Sequence, residues 1–202
     1  MRGASPISRD QLKQLLQLPM PIRDKTILVC GHALGFRISE LLSLKMSDVC
    51  TKNKYGVNVI HSHVHVRAAA SKTKVGRTVL LNTDAKKALT KLIEWLSAKG
   101  LDATAPLFVS RKHVNGFAAI TRQQAGRLIK GLFALVGAIG ANYSTHSMRK
   151  YFALAIYTAT GGKLELCQIA LGHASISSTI SYLLFHSTEI DDAINSWSFN
   201  HD

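Results

Sequence analysis

Apolar positions recur at helical spacing through most of the chain and change to alternation in one central stretch. Ser8-Arg9-Asp10-Gln11 ahead of Leu12, Leu15 and Leu16 predicts a capped short helix ending near Pro19. Pro21 suits the first turn of a second helix, whose stripe of Ile22, Ile27, Leu28 and Cys30 runs on to Gly35. Ile38 to Leu44 predicts a third, short helix. Between Lys54 and Leu81 the period shortens. Val57 and Val59, then Val64 and Val66, then Thr78 to Leu81 predict three strands of a small antiparallel sheet. Thr83-Asp84 is the expected cap of a helix carrying Leu89, Leu92, Ile93 and Leu96 and stopping at Gly100. Pro106 to Val109 reads as a short extended piece. Helices are then expected near 121–137, 146–160, 164–171, 176–185 and 189–196. The predicted fold is mainly α with one small three-stranded antiparallel β-sheet.

A chain of 202 residues with 47% apolar content has enough for a core and suits a single domain. The longest strongly apolar stretch, Gly131 to Ala141, is about half of the roughly 20 residues a membrane helix needs. The first residues lack an apolar run after Arg2, so no secretory signal is expected. Cys30, Cys50 and Cys167 are scattered and never spaced as CxxC, which predicts reduced thiols in a cytoplasmic protein.

Charge sharpens the picture. The formal net charge is +13, and the pI near 9.9 is the footprint of a nucleic-acid binder. Residues 1–100 hold 17 basic and 6 acidic side chains, residues 101–202 hold 8 and 6. A polyanion is drawn to the first half and repelled by the acidic tail. A ribosome-associated basic protein would share this signature.

Several polar groups recur at useful spacing. His146 and Arg149 lie at i,i+3 at the start of a helix and share a face. Arg37 sits where Gly35-Phe36 turns the chain, with Glu40 placed to buttress it. Gly172-His173 ends one helix, and Tyr182 lies nine residues later on the next. Ser71 to Gly76 is a turn rich in lysine. Arginines bind phosphate oxygens bidentately, imidazoles donate hydrogen bonds, and a tyrosine can attack phosphorus. His61, His63 and His65 alternate along a strand without an Asp, Glu or Cys to complete a metal site, so no metal is expected there. Tyr55, Tyr143, Tyr151 and Tyr157 are rival nucleophiles. Tyr151 follows Arg149 on a different helix face and reads as core. Lys150 reads as a contact to backbone phosphate or solvent, and Gly161-Gly162 as a helix terminator.

In order and spacing these segments resemble the tyrosine recombinase, or phage integrase, family. Gly31-His32-Ala33-Leu34-Gly35-Phe36-Arg37-Ile38-Ser39-Glu40-Leu41 is similar to the family's first arginine box, followed by Ser47-Asp48-Val49. Thr145-His146-Ser147-Met148-Arg149 is similar to its HxxR box. Ile169 to Tyr182 resembles the LGH segment with its tyrosine, and Ser71-Lys72-Thr73-Lys74 with Arg77 to Leu81 resembles the hairpin with its lysine. The resemblance runs from about Ile7 to Asn195.

It implies a phosphoryl transfer without metal, ATP or other cofactor. Arg37, Arg149 and His173 would hold the scissile phosphate, and Tyr182 would attack it to form a 3′-phosphotyrosyl link. Lys72, with Lys74 as the alternative, would protonate the departing 5′-oxygen. A free tyrosine has a pKa near 10, and His146 is the candidate base. Glu40 would support, while Lys45, Lys52, Lys54, Lys74, Arg77 and Lys150 would bind DNA. Double-stranded DNA, further recombinase subunits in a dimer or tetramer, and accessory DNA-bending proteins are the implied partners. The implied setting is a cytoplasmic, nucleoid-associated protein of bacterial, archaeal, phage or plasmid origin.

The whole chain reads as one catalytic domain, with a core at about 7–187 and a tail helix over 188–202. Ser187-Thr188-Glu189 starts that helix, and Ile190, Ala193, Ile194 and Trp197 form its apolar stripe beside Asp191 and Asp192. It either folds onto its own core or, as the resemblance implies, is given to a neighbouring subunit. The separate N-terminal clamp domain of most family members has no counterpart here, as in a catalytic fragment or the small fimbrial-switch invertases. A type IB topoisomerase and a DNA-binding regulator that never cleaves are the alternative functions.

Overall fold

Ser8 opens helix α1 (Arg9–Gln17) through a reciprocal cap. Its hydroxyl accepts from the Gln11 N–H, and the Gln11 side chain accepts from the Ser8 N–H. Only residues 4–66, 76–110 and 118–183 are described here, in a computed structural model. Helix α2 (Ile22–Ala33) starts directly after Pro21 and is buried on most sides, packed between α5 (Thr83–Ala98) and α7 (Thr145–Ala159). Ile27, Leu28 and Cys30 of its predicted stripe are fully buried, with Ile22 packed at the edge of the same cluster. Two close approaches fix α7 against the end of α2. A side chain at Gly31 would collide with Met148, and one at Gly35, whose φ is +60°, would collide with Phe152.

Two short helices follow, α3 (Ile38–Leu42) and α4 (Met46–Val49). Only the first was expected. α4 has four residues, too few for a periodic stripe, and is held by the Asp48 carboxylate accepting from the Lys45 N–H at 2.8 Å.

The sheet differs from the three-stranded expectation. Among the described residues four strands form two antiparallel pairs, β1 (Cys50–Lys52) with β2 (Asn58–Ile60) and β3 (His63–Val66) with β4 (Arg77–Leu80). The two valine pairs, expected to lie on neighbouring strands, instead fall on either side of a break at His61-Ser62. β1 took the place of a partner because Asn53 turns the chain back: its Oδ1 accepts from the N–H groups of Tyr55 and Val57. β1 offered no alternation to read, with Cys50 buried and the next two residues exposed.

Asn82, not Thr83 or Asp84, caps α5, its Oδ1 accepting from the Ala85 N–H at 2.9 Å. The stripe it starts is buried as expected. Pro106 to Val109 is extended, and its Leu107 N–H donates to the Leu44 carbonyl at 2.8 Å. Helices α6 (Arg122–Ala134), α8 (Leu164–Leu171) and α9 (Ile176–Leu183) complete the described chain. The expected helix at 189–196 lies outside the described residues. One large apolar cluster spans α1 to α7. A small second cluster holds Ala153, Cys167, Leu171 and Leu183, with Tyr182 against it.

His32 sits inside the larger cluster, its ring edge-on to Tyr151 at 5.1 Å and its Nδ1–H donated to the Leu28 carbonyl. Burial lowers its pKa to about 4, so it is neutral in the fold. The unfolded chain takes up a proton there below about pH 6.5, whereas the folded chain does so only near pH 4. Stability attributable to His32 is therefore complete near neutrality and lost as pH falls through that window, by about 3 kcal/mol at most. Urea midpoints measured from pH 7.5 to 4 should fall less steeply for His32→Phe than for the unaltered protein. Parallel curves would show that His32 does not carry the effect.

Candidate active site

Arg37 is the residue just before α3, and Glu40 is in that helix's first turn. The fully buried Glu40 carboxylate accepts from the Arg37 N–H at 2.9 Å and from the Arg37 guanidinium at 2.8 Å. It also receives the Arg77 guanidinium, at 3.1 and 3.3 Å, so one carboxylate organises two arginines from α3 and β4. Burial pushes the Glu40 carboxyl up, but the Arg77 charge and the bonds from both arginines outweigh it and hold it below its ordinary value.

Arg77, expected to bind DNA, lies within this cluster. Its guanidinium is 5.4 Å from the Phe36 ring. Its Cδ is 2.7 Å from where a side chain on Gly172 would begin. Gly172 is left-handed, with φ of +64°, and ends α8. Glycine is needed there twice, for its backbone and for the space Arg77 fills.

Arg149 is completely buried on α7. Its guanidinium donates to the carbonyls of Gly35 and, at 2.8 Å, Leu171. It thereby ties the arginine turn to the end of α8. Burial, with Arg37 nearby, lowers its pKa to about 10, and it stays charged near neutrality. His173 follows Gly172, and its Nδ1 is 3.0 Å from the hydroxyl of buried Thr179. Burial and the charge of Arg149 lower its pKa to about 4.

Tyr182 lies where these groups converge. Its ring is 5.0 Å from the His173 ring and 5.7 Å from the Arg149 guanidinium. Its hydroxyl is 3.4 Å from Nδ1 of His146, on the first turn of α7. Partial loss of solvent around the ring, then the charges of Arg149, Arg122 and Arg37, hold His146 below its ordinary pKa although the residue is exposed overall, and a neutral imidazole can take a proton. Lys150 was expected to face backbone phosphate or solvent. It is 7% exposed, and its ammonium is 5.9 Å from the Tyr182 ring. α7 is covered by α2, α8 and α9, which leaves that position little solvent.

Arg37, His146, Arg149, His173 and Tyr182 are thus brought together, with Glu40 behind them. Lys72 and Lys74 lie outside the described residues. Lys45, Lys52 and Lys54 are exposed on α4 and the β1–β2 hairpin. Tyr151 is packed on the main core. Val64 and Val66 point inward, while His63 and His65 are exposed. No group of three or more His, Cys, Asp or Glu able to hold a metal occurs among the described residues. Nor is any described helix long and apolar enough to cross a membrane. Thr179 was missed by the sequence reading, although it stands three residues before Tyr182 and so shares its helix face.

The family model for the phage integrase family matches residues 6–188. The chain belongs to the phage integrase family. Among curated phage integrase relatives, tyrosine recombinase XerD of Rickettsia prowazekii is 29% identical over 199 residues, covering 93% of this chain and 61% of that protein. Tyrosine recombinase XerD of Xanthomonas axonopodis pv. citri is 31% identical, covering 84% and 53%. The chain therefore spans little more than half the length of these relatives. Among solved structures, XerA recombinase superposes with a TM-score of 0.74 at 24% identity, over 98% of this chain and 67% of that one. XerH recombinase bound to its difH substrate, before cleavage, gives 0.70 at 20% identity, over 98% and 56%. These likenesses establish the mainly helical fold of a tyrosine recombinase catalytic domain with its small antiparallel sheets.

Proposed function

We propose that this chain is the catalytic domain of a site-specific recombinase that cuts and rejoins duplex DNA through Tyr182, without metal or ATP. The observation that carries the reading is the tyrosine itself: its hydroxyl is 3.4 Å from the neutral His146 and its ring lies over the Arg149 guanidinium. The Tyr182 oxygen attacks phosphorus as His146 takes its proton. The bond to the 5′-oxygen breaks, and Lys72 gives that oxygen a proton, with Lys74 as the alternative donor. The product is a 3′-phosphotyrosyl ester and a free 5′-hydroxyl. Reversal by a new 5′-hydroxyl reseals a strand, so one ester is exchanged for another and no ATP is consumed.

Arg37 and Arg149 meet the charge growing on the phosphoryl oxygens, as preorganised cations do in phosphoryl transfer. A hydroxyl proton from Thr179 to Nδ1 of His173 keeps the ring proton on Nε2, which then donates to a third oxygen. The Tyr182 ring covers Arg149 in the present arrangement, so phosphate entry and realignment of the hydroxyl are one motion. Exposed Lys45, Lys52 and Lys54 suit the backbone of double-stranded DNA. Related subunits paired on DNA as dimers or tetramers and accessory DNA-bending proteins are the further partners, in the cytoplasm with the nucleoid.

The test is a nicked suicide duplex carrying the protein's own site, in which the short cleaved fragment diffuses away. A covalent protein–DNA band on a denaturing gel, formed in EDTA, is the expected result. Consistent absence of that band, with binding retained, would favour a non-cleaving DNA-binding role.

A further inference from the structure

Lys150 is the one member of the cluster around Tyr182 that neither the family reading nor the proposed chemistry uses for the nucleophile. It is one residue beyond Arg149 and four beyond His146 on α7, so it and His146 share a helix face. It is 7% exposed, and no hydrogen bond or ion pair to it occurs among the described residues. Its ammonium is 5.9 Å from the Tyr182 ring. The side chain is mostly enclosed but its ammonium is not a buried unpaired group, so solvent reaches its tip while the stem lies along the site. The charged and titratable groups around it offer no counterion. Arg149 and His146 are on its own helix, and His173 comes from the end of α8. Arg37, Arg77 and Arg122 add positive charge around the two histidines, and the Glu40 carboxylate is taken by two arginines.

We propose that Lys150 is a positioning residue for the nucleophile, whose ammonium holds the Tyr182 ring and balances the negative charge that forms on its oxygen as the proton leaves. This rests on Tyr182 being the nucleophile. An ammonium over a tyrosine ring is held by the ring's electron-rich face, and the attraction grows when the oxygen becomes anionic. Burial holds the Lys150 pKa below its ordinary value, but the group needs only to remain charged near neutrality.

The test compares the intact protein with Lys150→Met and Lys150→Arg by the rate of covalent adduct formation on the suicide duplex, from pH 6.5 to 10. Methionine matches the stem and removes the charge, and its melting temperature should equal or exceed that of the unaltered protein. The adduct rate of Lys150→Met should be at least about tenfold lower at pH 7, the size expected for losing a cation within about 6 Å. The deficit should narrow as rising pH deprotonates the tyrosine without help. Lys150→Arg should restore most of the rate at pH 7. Affinity for the same duplex, compared between Tyr182→Phe and Tyr182→Phe/Lys150→Met, should be unchanged. A deficit equal at every pH, or a loss of affinity that accounts for the loss of rate, would make Lys150 a phosphate contact and overturn the inference. Absence of any adduct in the unaltered protein would instead remove the nucleophile assignment beneath it.

Discussion

Tyr182→Phe is expected to reduce covalent adduct formation by about 10³-fold or more, to background, while DNA affinity stays within about twofold. Only a hydroxyl is removed. The ring keeps its places against His173, Arg149 and Lys150, all of which engage its faces or edges and not its oxygen. His146 loses its partner, yet it is exposed on the first turn of α7 and water can replace the phenol. Loss of the adduct together with the fold would point to a structural tyrosine. An adduct persisting in this variant, mapped by peptide sequencing to Tyr151, would refute the assignment outright.

The second large effect should come from Glu40→Ala, and it should be an effect on stability. Glu40 is fully buried and receives Arg37 and Arg77 together. Truncation leaves two largely buried guanidinium groups without their anion. Breaking a buried pair from one side typically destabilises by 3–5 kcal/mol. At about 2–4 °C per kcal/mol for a chain of this size, the melting temperature should fall by roughly 10 °C. Glu40→Gln keeps hydrogen-bond acceptors without the charge and should fall between the two. The carboxylate's contribution is held above the ordinary carboxylate range and lost as pH falls through its depressed value. The gap between Glu40→Gln and the unaltered protein should therefore close in strong acid. A melting temperature unchanged in Glu40→Ala would show that water readily replaces the carboxylate.

Where a residue's role follows from local spacing, the sequence was a good guide. The capping residues of α1, the turn at Gly172 and the shared face of His146 and Arg149 all depend on neighbours within a few positions. The family boxes added order across the chain, and the fold brings their Arg37, His173 and Tyr182 near one another. What spacing does not contain is the partner across the fold. β1 was invisible because its pairing depends on a turn at Asn53 and not on its own pattern. Arg77 and Lys150 look like surface cations in sequence. In the fold Arg77 is drawn in beside Gly172 and Glu40, and Lys150 is enclosed beside the Tyr182 ring. Asn82 lost the reading of its cap to its neighbours Thr83 and Asp84, since all three residue types cap well.

The two apolar clusters divide the active site between supports of unequal strength. The guanidinium groups of Arg37 and Arg77 rest on elements embedded in the large cluster, whereas Tyr182 rests, among the described residues, on a cluster of four buried members. Free energies of local opening follow such enclosure. Among the described residues the helix bearing Tyr182 therefore has the lesser hold, and its opening is expected to cost less than that of the elements carrying the arginines. Under the proposed chemistry, an anion held by the arginines would stay in place while the tyrosine comes and goes, and the docking of one short helix would time the cut.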